Sequence, residues 1–300
     1  MLPVSDGNLI HWETSGHPRG RAVLYLHGGP GAGMTAGYRR LADPARHLLV
    51  GLDQRGCGRS RPLVTEPDAR LDTNTTPALV ADLEVLRAFL GVERWVVLGL
   101  SWGTTLALAY TQAYPERVVG LVLGAVTTTS TADVSWVTEE MGRIFPREWD
   151  DFAAAVPREG AERVVDAYAR VLAGGDTESR ARAAEAWCRW EDVHVSLDPA
   201  YQPNPRYLDP GFRDVFATLV AHYWSHSGFV GDQILARMDG LSSVPGVLIH
   251  GRLDVSSPLS TAWRLHQTWP GSELVVVDGE GHGGAAMMDR VAAAVRSLAG

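Results

Sequence analysis

The chain has 300 residues, 45% apolar and 21% charged, enough for one large domain or one domain carrying an insertion. Its formal net charge of −8 argues against a nucleic-acid partner, which needs a concentrated positive face. All 27 basic residues are arginine, so a P-loop lysine, a Ser–Lys dyad and a Schiff-base lysine are excluded. No apolar run reaches the length of a membrane span, and residues 1–7 have neither a basic n-region nor an apolar h-region. Cys57 and Cys188 are too far apart in sequence to form a disulfide framework. A cytoplasmic enzyme is the expectation.

Residues 2–15 read as a short hairpin with Asp6-Gly7 as the turn. The apolar run 22–27 predicts a buried strand that breaks into Gly28-Gly29-Pro30-Gly31, where backbone N–H groups can approach a ligand unobstructed. A second strand, 48–52, leads into Asp53-Gln-Arg-Gly-Cys-Gly-Arg-Ser60. Leu79, Leu83, Leu86 and Leu90 recur at helical spacing. Trp95–Leu100 predicts a strand and the small-residue stretch to Tyr114 a helix, with Gly99-Leu100-Ser101-Trp102-Gly103 at the junction. A nucleophilic serine on so sharp a turn needs neighbours without side chains. Another strand follows at 118–123. Strands alternating with helices at this rhythm predict a largely parallel sheet with its site at the strands' C-terminal ends.

From about residue 128 to 239 the pattern changes to short helices, including 161–173 and 178–192. Trp136, Trp149, Trp187, Trp190 and Trp224 fall in this stretch, which reads as an inserted helical cap. The α/β rhythm resumes with a strand at 246–251, a helix carrying Trp263 and Trp269, and a last strand at 273–278. A terminal helix follows, with Met288, Val291, Val295 and Leu298 on one face. The expected organisation is core 1–127, cap 128–239 and core 240–300.

A serine hydroxyl needs a histidine base held by a carboxylate. Asp254 follows the strand at 246–251, and His282 follows the last strand in a glycine-rich loop. Ser101…Asp254…His282 is the chain order expected of α/β-hydrolases. Asp278, which ends the last strand just before the histidine loop, fits the acid role less well. The Trp102 N–H, next to the serine, and the Gly29 N–H are the natural oxyanion donors. His222 and His226 stand four apart but lack an H-E-x-x-H context. A structural role is therefore expected, with no metal and no cofactor. Cys57 reads as a packing residue.

Together His27–Gly31, Asp53–Ser60, Ser101–Tyr110, Gly251–Asp254 and Gly281-His282 resemble the proline iminopeptidases. These are α/β-hydrolases with a helical cap that remove N-terminal proline from peptides. The resemblance implies nucleophile Ser101, acid Asp254, base His282 and oxyanion donors Gly29 and Trp102. Trp187-Cys-Arg-Trp-Glu191 matches a family segment whose glutamate binds the substrate's amino terminus. The resemblance thus implies substrate contacts from Glu191, Trp187, Trp190 and Tyr223. It also predicts a second cap glutamate where Val220 stands, with Asp214 or Asp232 as possible substitutes. The alternative to a prolyl aminopeptidase is an amide, ester or lactone hydrolase of a small metabolite using the same triad. A non-catalytic binding protein on this scaffold is the third reading.

Overall fold

The computed structural model describes residues 1–197 and 201–300. Its centre is a seven-stranded sheet in the order β3-β5-β4-β6-β7-β8-β9. The strands are β3 (Trp12–Gly16), β4 (Arg21–Leu26), β5 (His47–Leu52), β6 (Trp95–Leu100), β7 (Val118–Gly124), β8 (Gly246–Gly251) and β9 (Ser272–Val277). Only β3 runs antiparallel to its neighbour, β5; the other pairs are parallel, with Leu24 opposite Val97 and Leu98 opposite Val122. The inner strands are apolar because both faces are covered. Val23, Val97, Leu98 and Val122 have no accessible surface, and each such burial contributes about 1.5–3 kcal/mol.

One face packs against α1 (Thr76–Phe89), α2 (Trp102–Ala113) and α9 (Leu259–Thr268). The other packs against α10 (Ala285–Ala299) and the turn Ala36–Leu41. Helix α1 starts where the Thr75 side chain accepts from the Ala78 amide, an N-cap that satisfies an otherwise orphaned donor.

Three local expectations need adjustment. The N-terminal hairpin is reduced to a two-residue pairing of β1 (Leu2–Pro3) with β2 (Leu9–Ile10), and the chain then joins the main sheet as β3. In α10 the fully buried methionine is Met287, with Met288 and Leu298 only partly buried. Trp269 lies just beyond α9, and its indole N–H donates to the carbonyls of Leu241 and Val244.

Between β7 and β8 the described residues form helices and turns only: α3 (Thr131–Thr138), α4 (Pro146–Ala154), α5 (Val164–Gly174), α6 (Thr177–His194), α7 (Pro210–Ser225) and α8 (Gln233–Ala236). They enclose a core of their own around Phe152, whose ring stacks on Tyr168 at 4.6 Å and Trp190 at 5.2 Å. Helix α3 opens with a reciprocal capping box between Ser130 and Asp133, which satisfies two otherwise orphaned backbone donors. Among the described residues no helix is long and apolar enough to cross a membrane.

Candidate active site

Ser101 sits between β6 and α2 with φ 53° and ψ −127°, a conformation that costs a non-glycine residue on the order of 1–3 kcal/mol. The flanking glycines make it possible. A Cβ on Gly99 would collide with the Gly103 carbonyl, and one on Gly103 with the Leu26 carbonyl. The turn closes only because both positions lack side chains.

The three expected members of the relay meet although they come from three separate loops. His282 Nε2 lies 2.9 Å from Ser101 Oγ, and His282 Nδ1 lies 2.9 Å from Asp254 Oδ2. The other carboxylate oxygen, Asp254 Oδ1, accepts from the Ser257 amide at 2.9 Å. Burial opposes charge on Asp254, but the His282 imidazole and the Ser257 amide outweigh it and hold the acid below its ordinary range. At His282 burial again works against charge. The Asp254 carboxylate, with a smaller contribution from Glu191, overcomes it and raises the imidazole above its ordinary 6.5. Asp278 is paired with Arg252 at the surface and takes no part.

A second histidine supports the acid loop. Buried His250 accepts from the Val126 amide through Nδ1 at 3.0 Å, so its Nε2–H donates to the Ser257 carbonyl at 2.7 Å. Burial keeps it neutral by lowering its pKa. The cap holds the same loop from the other side. Trp136 Nε1–H donates to the Val255 carbonyl at 2.7 Å, and Thr261 Oγ1 donates to Asp133 at 2.8 Å.

The Gly28–Gly31 loop lies against the serine: a Cβ on Gly28 would be 3.1 Å from Ser101 Cβ and 3.7 Å from its Oγ. Among the described residues the amides of Gly29 and Trp102 make no hydrogen bond, leaving both donors available. Sequence reasoning missed what aligns them. Gln54, 2% exposed, donates through Nε2 to the His27 carbonyl at 3.0 Å and accepts at Oε1 from the Trp102 indole N–H at 3.0 Å. Its own amide donates to His27 Nε2 at 3.1 Å, so His27 Nδ1–H donates to the Gly28 carbonyl at 2.9 Å. The signal was its place in Asp53–Ser60.

The rest of that segment is scaffold. Asp53 accepts from the Met34 amide at 2.6 Å and from the Arg59 amide at 3.0 Å. Arg55 is fully buried in a two-pronged pair with Asp82, at 2.5 and 2.7 Å, and also reaches Asp6. Cys57 is buried, and burial pushes its thiol far up, consistent with packing.

The cap residues divide. Glu191 Oε1 accepts from the Trp187 indole N–H at 2.9 Å, and its Oε2 lies 3.3 Å from His194 Nε2. Trp187 and Trp190, expected at the substrate, are 0% and 1% exposed in the cap's own core. Large rings pack there before they line anything. Tyr223 is also buried, its hydroxyl on Asn74 at 2.6 Å and its ring 4.8 Å from that of Trp102. The ring that does line the cavity beside Ser101 is Trp224, together with Thr129, Val134 and Val137. This cavity holds about 20 Å³, room for about one water. Val220 is fully buried in the cap core. Asp232 is exposed and Asp214 partly so; neither lines the cavity beside Ser101. His222 Nε2–H donates to the Asn74 carbonyl at 2.9 Å, and no metal-binding cluster occurs among the described residues.

A parallel sheet with a strained serine after β6, an acid after β8 and a histidine after β9 defines an α/β-hydrolase. The family model described as the alpha/beta hydrolase fold matches residues 21–285. A probable proline iminopeptidase of Streptomyces coelicolor is 44% identical over 288 residues, 94% of this chain and 88% of that one. A proline iminopeptidase of Xylella fastidiosa is 41% identical over 285 residues, covering 94% and 90%. The solved proline iminopeptidase of Mycobacterium smegmatis superimposes with a TM-score of 0.61 at 21% identity, over 99% of this chain and 97% of that one. The chain belongs to the proline iminopeptidase family.

Proposed function

We propose that this protein is a serine aminopeptidase that releases N-terminal proline from peptides through an acyl-enzyme. Ser101 Oγ attacks the carbonyl of the first residue while His282 Nε2 takes the hydroxyl proton. Asp254 fixes the imidazole's tautomer and stabilises the imidazolium. The amides of Gly29 and Trp102 receive the oxyanion. The tetrahedral intermediate collapses as His282 returns the proton to the leaving amine. Water, deprotonated by the same imidazole, then attacks the ester carbonyl and frees proline and Ser101. Glu191 pairs with the substrate's ammonium, held by the Trp187 indole and reaching His282 through its charge.

The observation that carries this reading is the continuous Ser101–His282–Asp254 relay, with the Glu191 carboxylate near enough for its charge to act on His282. One observation favours the second reading, an amide, ester or lactone hydrolase. Buried Val220 stands where the family resemblance predicts a second acid, and losing one charge-assisted contact weakens ammonium recognition by about 1.5–3 kcal/mol.

A panel of prolyl, alanyl and N-blocked prolyl anilides beside simple esters separates the two, with Ser101→Ala as control. Free-amine prolyl anilide should be the best substrate and should lose all turnover in Ser101→Ala. Equal turnover of free and N-blocked prolyl substrates would reject the aminopeptidase and leave the ester or amide hydrolase.

A further inference from the structure

One cation near the oxyanion loop has no anion within hydrogen-bonding distance among the described residues. Arg206, on the turn Pro205–Leu208 between α6 and α7, places its guanidinium carbon 3.9 Å over the Phe212 ring. Phe212 stacks on Phe216 at 5.5 Å, and Tyr207 closes the same shelf at 5.5 Å from Phe216. The shelf supports the loop beside the serine: a Cβ on Gly31 would lie 3.5 Å from Phe216 Cα and 3.1 Å from Leu219 Cβ. Arg206 therefore sits against the helix that backs the Gly28–Gly31 loop, where its charge reaches His27 and that of Asp53 reaches it.

Arg206 is partly buried, yet its guanidinium makes no hydrogen bond or ion pair among the described residues. The contrast with Arg55 is sharp, since that buried guanidinium is met by Asp82, Asp6 and Ser5. Burial lowers the Arg206 pKa from its ordinary value, outweighing the pull of Cys57, Tyr207, Asp53 and Asp209. A planar cation stacked on an aromatic ring is held in orientation, with its N–H fork free for a planar oxyanion. A carboxylate matches that fork with two parallel bonds.

We propose that Arg206 is a carboxylate-reading subsite that pairs with the C-terminal carboxylate of a short peptide substrate. The inference rests on the aminopeptidase reading above and adds a second charge to it. Glu191 meets the ammonium at one end of the peptide, and Arg206 meets the carboxylate at the other. Each added residue displaces that carboxylate by about 3.3–3.6 Å, so a fixed cation selects for chain length as well as for a free terminus.

The test compares kcat/KM for Pro-Gly and Pro-Gly-Gly as free acids with the same peptides as C-terminal amides, and with prolyl anilide. The wild-type protein should prefer at least one acid over its amide by about 10–100-fold, the worth of one charge-assisted pair. In Arg206→Gln that ratio should collapse towards one through KM, with Arg206→Lys recovering part of it; circular dichroism checks that both variants are folded. A wild-type ratio near one, or an equal loss on acids and amides in Arg206→Gln, overturns the subsite. If prolyl anilide is cleaved while the ratio is one, only the subsite fails. If no prolyl substrate is cleaved, the aminopeptidase reading fails and the subsite with it.

Discussion

Gln54 is the residue whose loss tests the site's architecture most directly. Gln54→Leu keeps the volume but removes the Nε2–H bond to the His27 carbonyl and the acceptor for the Trp102 indole N–H. Both partners are buried, with His27 and Trp102 each 1% exposed, so neither gains water in exchange. Leaving a buried polar group unpaired costs about 1–3 kcal/mol, and two of them give a loss of roughly 2–6 kcal/mol in unfolding free energy. Catalysis should suffer separately, because the two groups released are the strand end before Gly29 and the ring of Trp102. Removing an oxyanion donor outright costs about 100–1,000-fold in kcat, so loosening both should lower kcat by about 10–100-fold with little change in KM. Gln54→Glu keeps an acceptor for the indole but loses the donor to His27, and should fall between the two proteins in kcat. Urea unfolding and steady-state kinetics on prolyl anilide measure both effects. Stability within about 0.5 kcal/mol of wild type, with kcat within twofold, would refute the bridging role.

Three further outcomes are expected. In the proposed mechanism His282 is the base and works only when neutral, and its pKa is raised above 6.5 by Asp254 and Glu191 against the opposing effect of burial. The acid limb of kcat/KM should therefore lie above pH 6.5 and move down in Glu191→Gln; a limb that does not move removes Glu191 from the field at the imidazole. His222 is pushed down to about 4 by burial, so the fold holds it neutral while the unfolded chain protonates it near 6.5. Its stabilisation is complete above pH 6.5 and is lost as pH falls towards 4, by up to about 3 kcal/mol. Unfolding free energy measured from pH 7 to 4 should then fall less steeply in His222→Gln. Asp82→Ala strands the buried Arg55 guanidinium and should cost about 3–5 kcal/mol in urea unfolding; a loss under about 1 kcal/mol would mean that Asp6 alone suffices.

Local chemistry was legible in the sequence wherever it repeats or punctuates. The apolar runs at 95–100 and 118–123 are strands because a doubly covered sheet requires them to be. The glycines flanking Ser101 gave away the turn by its steric need. Ser101, Asp254 and His282 were legible because each follows a strand, and parallel strands deliver their C-terminal loops to one rim. Orientation was not legible. Trp187 and Trp190 lie one turn apart on α6, and periodicity does not say whether their shared face meets the substrate or Phe152 and Tyr168. Gln54 was hidden for a different reason: its partners, His27 and Trp102, are 27 and 48 residues away. Only the closed sheet brings those three segments together.

The bonds from Trp136 to Val255 and from Thr261 to Asp133 bear on how such a protein is rebuilt. They make the helical insert and the acid's loop a single transplantable unit, although some 120 residues of chain lie between their first members. A chimera that replaces the helices between β7 and β8 with those of another hydrolase discards Asp133 and Trp136, and so unpins the segment that aims Asp254. Such a graft should recover activity only when residues 254–261 travel with the donor helices.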